Sequence, residues 1–213
     1  MLENSETKSL KNQSASVSNI RIITQVGILS AIAFCLMTIE FPLWFAPGFY
    51  RLDFSELPVL IGAFAMGPLE GVMIEFIKVL LYFFIHGSST AGVGDLANFI
   101  FGCCMVIPAA LIYKKQKTKK DALLGMVVGT VLMSAAAGVV NAYVLLPLYA
   151  SAFHMPMAAL IAAGAKINPS INSISTFIFF AVVPFNLFKG AAVSALTFLL
   201  YKRVSPILHG KLR

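Results

Sequence analysis

The stretch "PFNLFKGAAVSALTFLLYKR", residues 184–203, carries no charge between Lys189 and Lys202, yet it opens with Asn186 and Lys189. A lysine at the centre of a bilayer costs roughly 2.5–3.5 kcal/mol on insertion scales, so such a residue faces protein, water or a ligand. Asn186 and Lys189 are three apart and share one helix face. The stretch reads as a membrane helix whose first turn points polar groups inward.

The rest of the chain fits that reading. Its 213 residues are 59% hydrophobic and 12% charged, with mean hydropathy +0.86, too little polar surface to cover a soluble globule. Runs of about 20 apolar residues cross a hydrocarbon core of roughly 30 Å. Six are read: Ile20 to Ile39, Leu57 to Met66 with its flanks, Gly71 to Ile85, Val93 to Tyr113, Ala122 to Leu146 and Phe177 to Tyr201. The second and third form a tight hairpin broken by Gly67 and Pro68. The expected fold is an all-α integral membrane protein, a single bundle of six transmembrane helices over residues 20–203. The polar residues 1–19 and 204–213 are expected to be cytoplasmic tails, the first of them mobile and without the pattern of a signal peptide.

Cytoplasmic loops hold the excess of lysine and arginine. Lys8, Lys11 and Arg21 precede the first span, "KKQKTKK" (114–120) separates the fourth and fifth, and Lys202, Arg203, Lys211 and Arg213 follow the last. Six spans put all three clusters on one side, with both termini cytoplasmic. The net charge of +7 is then a topology signal, and binding of nucleic acid is not implied. No "GxxxxGK[ST]" phosphate loop and no "HExxH" occurs, and His86, His154 and His209 are scattered, so neither a nucleotide engine nor a metal site is read. Cys35, Cys103 and Cys104 are expected to be buried free thiols.

Several polar residues within or beside the spans leave two readings open. Glu75 and Lys78 share a helix face, either as an internal ion pair or with Lys78 contacting a cavity. "GSSTAGVGDLANF" (87–99) is a turn with helix caps, or a polar wall formed by Ser88, Ser89, Thr90 and Asp95. "YRLDFSELPVL" (50–60) invites a functional reading of Arg51, Asp53 and Glu56, but Asp53 followed by Glu56 also resembles a capping box, which alone would account for both acids. "EFPLWFAPGF" (40–49) suits an interfacial anchor or a lid over a flat ligand. Asn141, Asn186 and Lys189 either converge on one cavity or, for the asparagines, bond to backbone within the bundle.

"LDFSELPVLIGAFAMGPLEGVMIEFIK", "GSSTAGVGDLANFIFG" and "PFNLFKG" together resemble the substrate-binding S components of energy-coupling factor (ECF) transporters, specifically the riboflavin-binding RibU type. The likeness runs from about Ile20 to Tyr201. It implies capture of riboflavin from outside and delivery through one transmembrane coupling subunit and two ATPases, with no cofactor and no catalysis. It carries ligand roles to Asn186 and Lys189, and to Asn141. Glu40, Lys78, Ser88, Ser89, Thr90 and Asp95 are further candidates for the ligand site. Phe41, Pro42, Leu43 and Phe45 are candidates for the lid, and Gly27, Ala31 and Cys35 for a small-residue contact with the coupling subunit, or else for packing inside the bundle. The alternatives are an S component for another vitamin and a membrane enzyme acting on a lipid or isoprenoid.

Overall fold

The computed structural model describes residues 2–88, 92–152 and 156–208. Helix α1 (Leu2–Thr38) is followed by a short antiparallel pair, β1 (Phe41–Pro42) and β2 (Arg51–Leu52), with Phe41 opposite Leu52. The helix continues through residues 2–19, the segment expected to be a mobile tail. Next come α2 (Glu56–Ala65) and α3 (Pro68–Ile85). Between these two, Gly67 takes φ 140°, a conformation L side chains avoid, and Pro68 fits the first helical turn, where its missing N–H has no helical partner to lose.

The basic segment Lys114 to Lys120 joins α4 (Val93–Gln116) to α5 (Lys119–Val140). It turns at Lys117 in the left-handed region, and Thr118 and Asp121 then form a reciprocal capping box that satisfies two backbone donors at the start of α5. A π turn (Asn141–Leu145) carries α5 into α6 (Leu146–Ala152). After α7 (Met157–Ala165), a second π turn (Ile178–Val182) links α8 (Ile174–Phe177) to α9 (Val183–Leu208).

Seven helical rods result among the described residues, not the six expected. The extra one is α7, in a segment whose apolar run is too short to register as a span. Among the described residues, four helices are long and apolar enough to cross a membrane: Asn19–Thr38, Val93–Gln116, Lys119–Ser151 and Ile174–Tyr201. Their outer faces stay apolar, as at Leu123, Leu124, Val127 and Val131 on α5, where a water-soluble helix would carry charge. Small residues let these helices approach closely. A Cβ at Gly125 or Gly129 would collide with the α4 backbone at Ala109 or Met105, which is why α4 and α5 touch main chain to main chain.

One core lies between α1, α2, α4 and α5 around Val59, Leu60, Met105 and Met126. A second, built on Leu146, Leu160, Phe177 and Val182, packs α7 against the two π turns. Between them is the cavity that concerns function. The three cysteines are free thiols, but Cys35 is exposed and Cys103 and Cys104 are half-buried, contrary to the expectation of burial.

Candidate functional site

The cavity encloses about 1070 Å³. Phe101 from α4, Phe49 and Tyr50 from the α1–α2 loop, Tyr149 from α6 and Phe185 from α9 supply aromatic walls, and Ala159, Leu160 and Ala163 bring in α7. Its polar lining includes Asn141, Asn186 and Lys189, which therefore do converge. The rings are also packed against one another: Tyr50 lies 5.4 Å from Phe185, and Phe49 stacks on Phe177 at 6.4 Å with an interplanar angle of 10°.

Both asparagines sit where a helix is distorted. Asn141 opens the first π turn, and its Nδ2 donates to the Ala137 carbonyl at 2.8 Å. The Nδ2 of Asn186 donates to the Val182 carbonyl, the end of the second π turn, at 2.9 Å. Each amide thus bonds backbone as a packing asparagine does, yet each also faces the cavity. A π turn inserts an extra residue and rotates the remainder of the helix about its axis, a distortion frequent at functional sites. The Asn141 Oδ1 accepts from the Tyr50 hydroxyl at 2.6 Å. Desolvation of that hydroxyl, reinforced by Tyr149, raises its pKa far above the ordinary tyrosine value, so it remains a donor. Asn186 Oδ1 has no protein donor among the described residues.

The floor is a buried ion network. Lys189 Nζ donates to Asp53 Oδ2 at 2.8 Å and meets Glu56 Oε1 at 3.2 Å. Glu56 in turn lies 3.5 Å from Lys78, whose ammonium also reaches Ser55 Oγ at 3.0 Å, Asn98 Oδ1 at 3.3 Å and Glu75 Oε1 at 2.7 Å. The Glu75 contact is a close ion pair, and Gly102 leaves the room the carboxylate occupies. Burial by itself would raise the Asp53 pKa, but the charges of Lys189 and Lys78 outweigh it and hold the carboxyl below the ordinary aspartate value.

This geometry corrects two expectations. Asp53 and Glu56 do not form a capping box: Ser55 occupies the cap position of α2 without a side-chain cap bond, and the two acids serve as counter-charges instead. Lys78 does not line the cavity. It is fully buried one layer beneath, and its pairing with Glu75 is the internal ion pair that was the other reading.

The remaining candidates divide. Glu40 lines the cavity and pairs with Arg51 at 2.9 Å at its mouth. Ser88 and Asp95 line it at the start of α4, while Ser89 and Thr90 lie outside the described residues. The loop does border the cavity, but through Gly48, Phe49, Tyr50 and Arg51. Phe41, Pro42, Leu43 and Phe45 do not line it: Phe41 and Pro42 are exposed in β1, and Phe45 packs on Phe188, 5.7 Å away. Gly27, Ala31 and Cys35 are all exposed on α1, so they do not pack within the bundle. Phe49 closes the stretch 40–49 expected to be an anchor or lid but was not singled out, and Tyr50 was not expected at the site, although the rings beside Gly48 were a usable signal.

The profile of the family "ECF transporter, substrate-specific component" matches residues 21–201. The chain belongs to that family. The riboflavin transporter RibU of Staphylococcus aureus strain TCH60 is 36% identical over 191 residues, 89% of this chain and 93% of that protein. The riboflavin transporter FmnP of Bacillus subtilis strain 168 is 30% identical over 188 residues, 88% of this chain and 93% of that one. A solved S component of a bacterial ECF transporter superposes with a TM-score of 0.69 at 33% identity, covering 90% of this chain and 98% of that chain. Membership places the chain among the binding subunits of transporters rather than among enzymes.

Removing one partner of a buried ion pair costs about 3–5 kcal/mol, because it strands the other charge. Lys78→Met should therefore lower the melting temperature of the ligand-free protein in detergent, and adding Glu75→Gln should recover part of the loss. An unchanged melting temperature for Lys78→Met would show that the network does not hold α2, α3 and α4 together.

Proposed function

We propose that this chain is the riboflavin-binding S component of an ATP-driven ECF uptake transporter in the cell membrane. The observation that carries the reading is the convergence of Asn141, Asn186 and Lys189 on one aromatic-walled cavity. Pockets for single drug-sized ligands run about 300–1,000 Å³, and this cavity is large enough for a tricyclic ring system with a polyol chain. Aromatic rings pack a flat heterocycle, and the asparagines and lysine bond its carbonyls, its nitrogens or the chain hydroxyls. The names of the two relatives support riboflavin as the ligand. No covalent or proton-transfer step is required: the chemistry is capture and release.

In this reading the chain crosses the membrane six times, with both termini and Lys114 to Lys120 on the cytoplasmic side. The cavity mouth, with Glu40, Arg51, Ser88 and Asp95, faces outside, and the loop from Glu40 to Arg51 is its lid. Ser89 and Thr90 belong to the same outer rim. Energy comes from one coupling subunit and two ATPases, which the exposed α1 face of Gly27, Ala31 and Cys35 contacts.

A hydrogen bond contributes about 0.5–1.5 kcal/mol between neutral groups and about 1.5–3 kcal/mol when one is charged. At about 1.4 kcal/mol per tenfold, Asn186→Ala should weaken riboflavin binding about tenfold and Lys189→Ala about tenfold to a hundredfold. Leu187 is 41% exposed on the opposite side of α9, so Leu187→Ala should stay within about threefold. Calorimetric titration of detergent-solubilised protein measures all three. Wild-type affinity for both polar variants would remove them from the site.

Assembly gives an independent test. Ala31→Trp should abolish co-purification with the coupling subunit and stop uptake while riboflavin binding persists, because a bulky ring prevents close helix approach. Undiminished co-purification would place the contact on another face. Vesicles holding this chain alone should bind the vitamin without accumulating it when ATP is added; accumulation would overturn the division of labour.

A further inference from the structure

Lysine has three N–H donors and a long, freely rotating stem, so one that serves a ligand must be held in place. In Lys189 two donors are engaged from two directions, by Asp53 Oδ2 at 2.8 Å and Glu56 Oε1 at 3.2 Å. No third protein acceptor is present among the described residues, and the residue lines the cavity. The two carboxylates are not equivalent. Glu56 is shared with Lys78 at 3.5 Å, whereas Lys189 is the cation in hydrogen-bond contact with Asp53.

Asp53 is itself immobilised. Its Oδ1 accepts from the Ser55 backbone N–H at 2.9 Å and from the Ser55 hydroxyl at 2.5 Å, so the carboxylate cannot swing without breaking both bonds. It also comes directly after β2, the strand paired with β1 at the base of the loop that borders the cavity.

We propose that Asp53 is a positioning residue for the ligand: it fixes the Lys189 ammonium so that the third N–H meets an acceptor on the bound molecule, and it ties that lysine to the loop. The ion pair thereby governs how long the ligand is retained. The proposal rests on the riboflavin reading above and adds a residue that touches the lysine, not the vitamin.

The test is a double-mutant cycle on the full chain in detergent, with riboflavin as the probe. Wild type, Asp53→Asn, Lys189→Met and the double variant are compared by titration and by stopped-flow dissociation, with melting temperatures recorded ligand-free. With Lys189 present, Asp53→Asn should weaken binding about tenfold, mostly through faster dissociation; in the Lys189→Met background the same change should cost less than about threefold. A merely structural Asp53 would weaken both backgrounds alike, and equal losses, or no loss in either, overturn the proposal. If Asp53→Asn does not fold, Asp53→Glu decides, since it keeps the charge and moves it by one methylene. It should speed dissociation at least about threefold with Lys189 and leave the Lys189→Met protein unchanged; parallel effects overturn the proposal. A wild-type chain that does not bind riboflavin would sink the underlying reading, while a wild type that binds and gives parallel losses would sink the positioning role alone.

Discussion

Two ammonium groups and three carboxylates are shut away from water where α2, α3, α4 and α9 meet. Lys189, Asp53, Glu56, Lys78 and Glu75 are each less than a tenth exposed. A charge in such a place is tolerated only if it is paired, so each of these residues dictates the position of the next. The chain of contacts fixes the start of α2 against α3 and α9, and Asn98 brings in α4. The floor of the cavity is the upper surface of this network, and the loop over the cavity is anchored in it through Asp53.

The cavity lies beside two irregular helical segments and one short extra helix. The π turns at Asn141–Leu145 and Ile178–Val182 reorient the helices just where they pass the cavity, and α7 fills the flank that two straight rods would leave open. Elsewhere the helices are regular and tightly apposed, with glycines of α5 against the backbone of α4. Close-packed helices on one side and distorted ones on the other border the space.

Such a construction suits a protein that binds and hands over. The walls are rings, and the floor carries fixed donors and acceptors. The outer faces of the long helices are apolar. The exposed small residues of α1 offer a place where another apolar helix can approach. Specificity lies in where the few polar groups are held, and their placement is a property of the buried charges beneath them.

Periodicity alone determined much of this. Helical geometry repeats within a few residues, so a spacing of three was enough to put Asn186 with Lys189, and Glu75 with Lys78, each on one face. Gly67 with Pro68 was enough to mark the α2–α3 turn, and the long apolar runs marked the membrane helices. Contacts beyond local reach were decided by packing. Lys189 and Asp53 are 136 residues apart, and nothing in either neighbourhood announces the other, so Asp53 and Glu56 read as helix caps. The depth of Lys78 beneath the cavity, the exposure of Phe41 and Pro42 and the placement of Phe49 and Tyr50 at the cavity also depend on how elements dock. Backbone geometry is local and legible in order along the chain, whereas the partner of a buried charge is whichever group the finished fold brings within about 3 Å, the reach of a hydrogen bond.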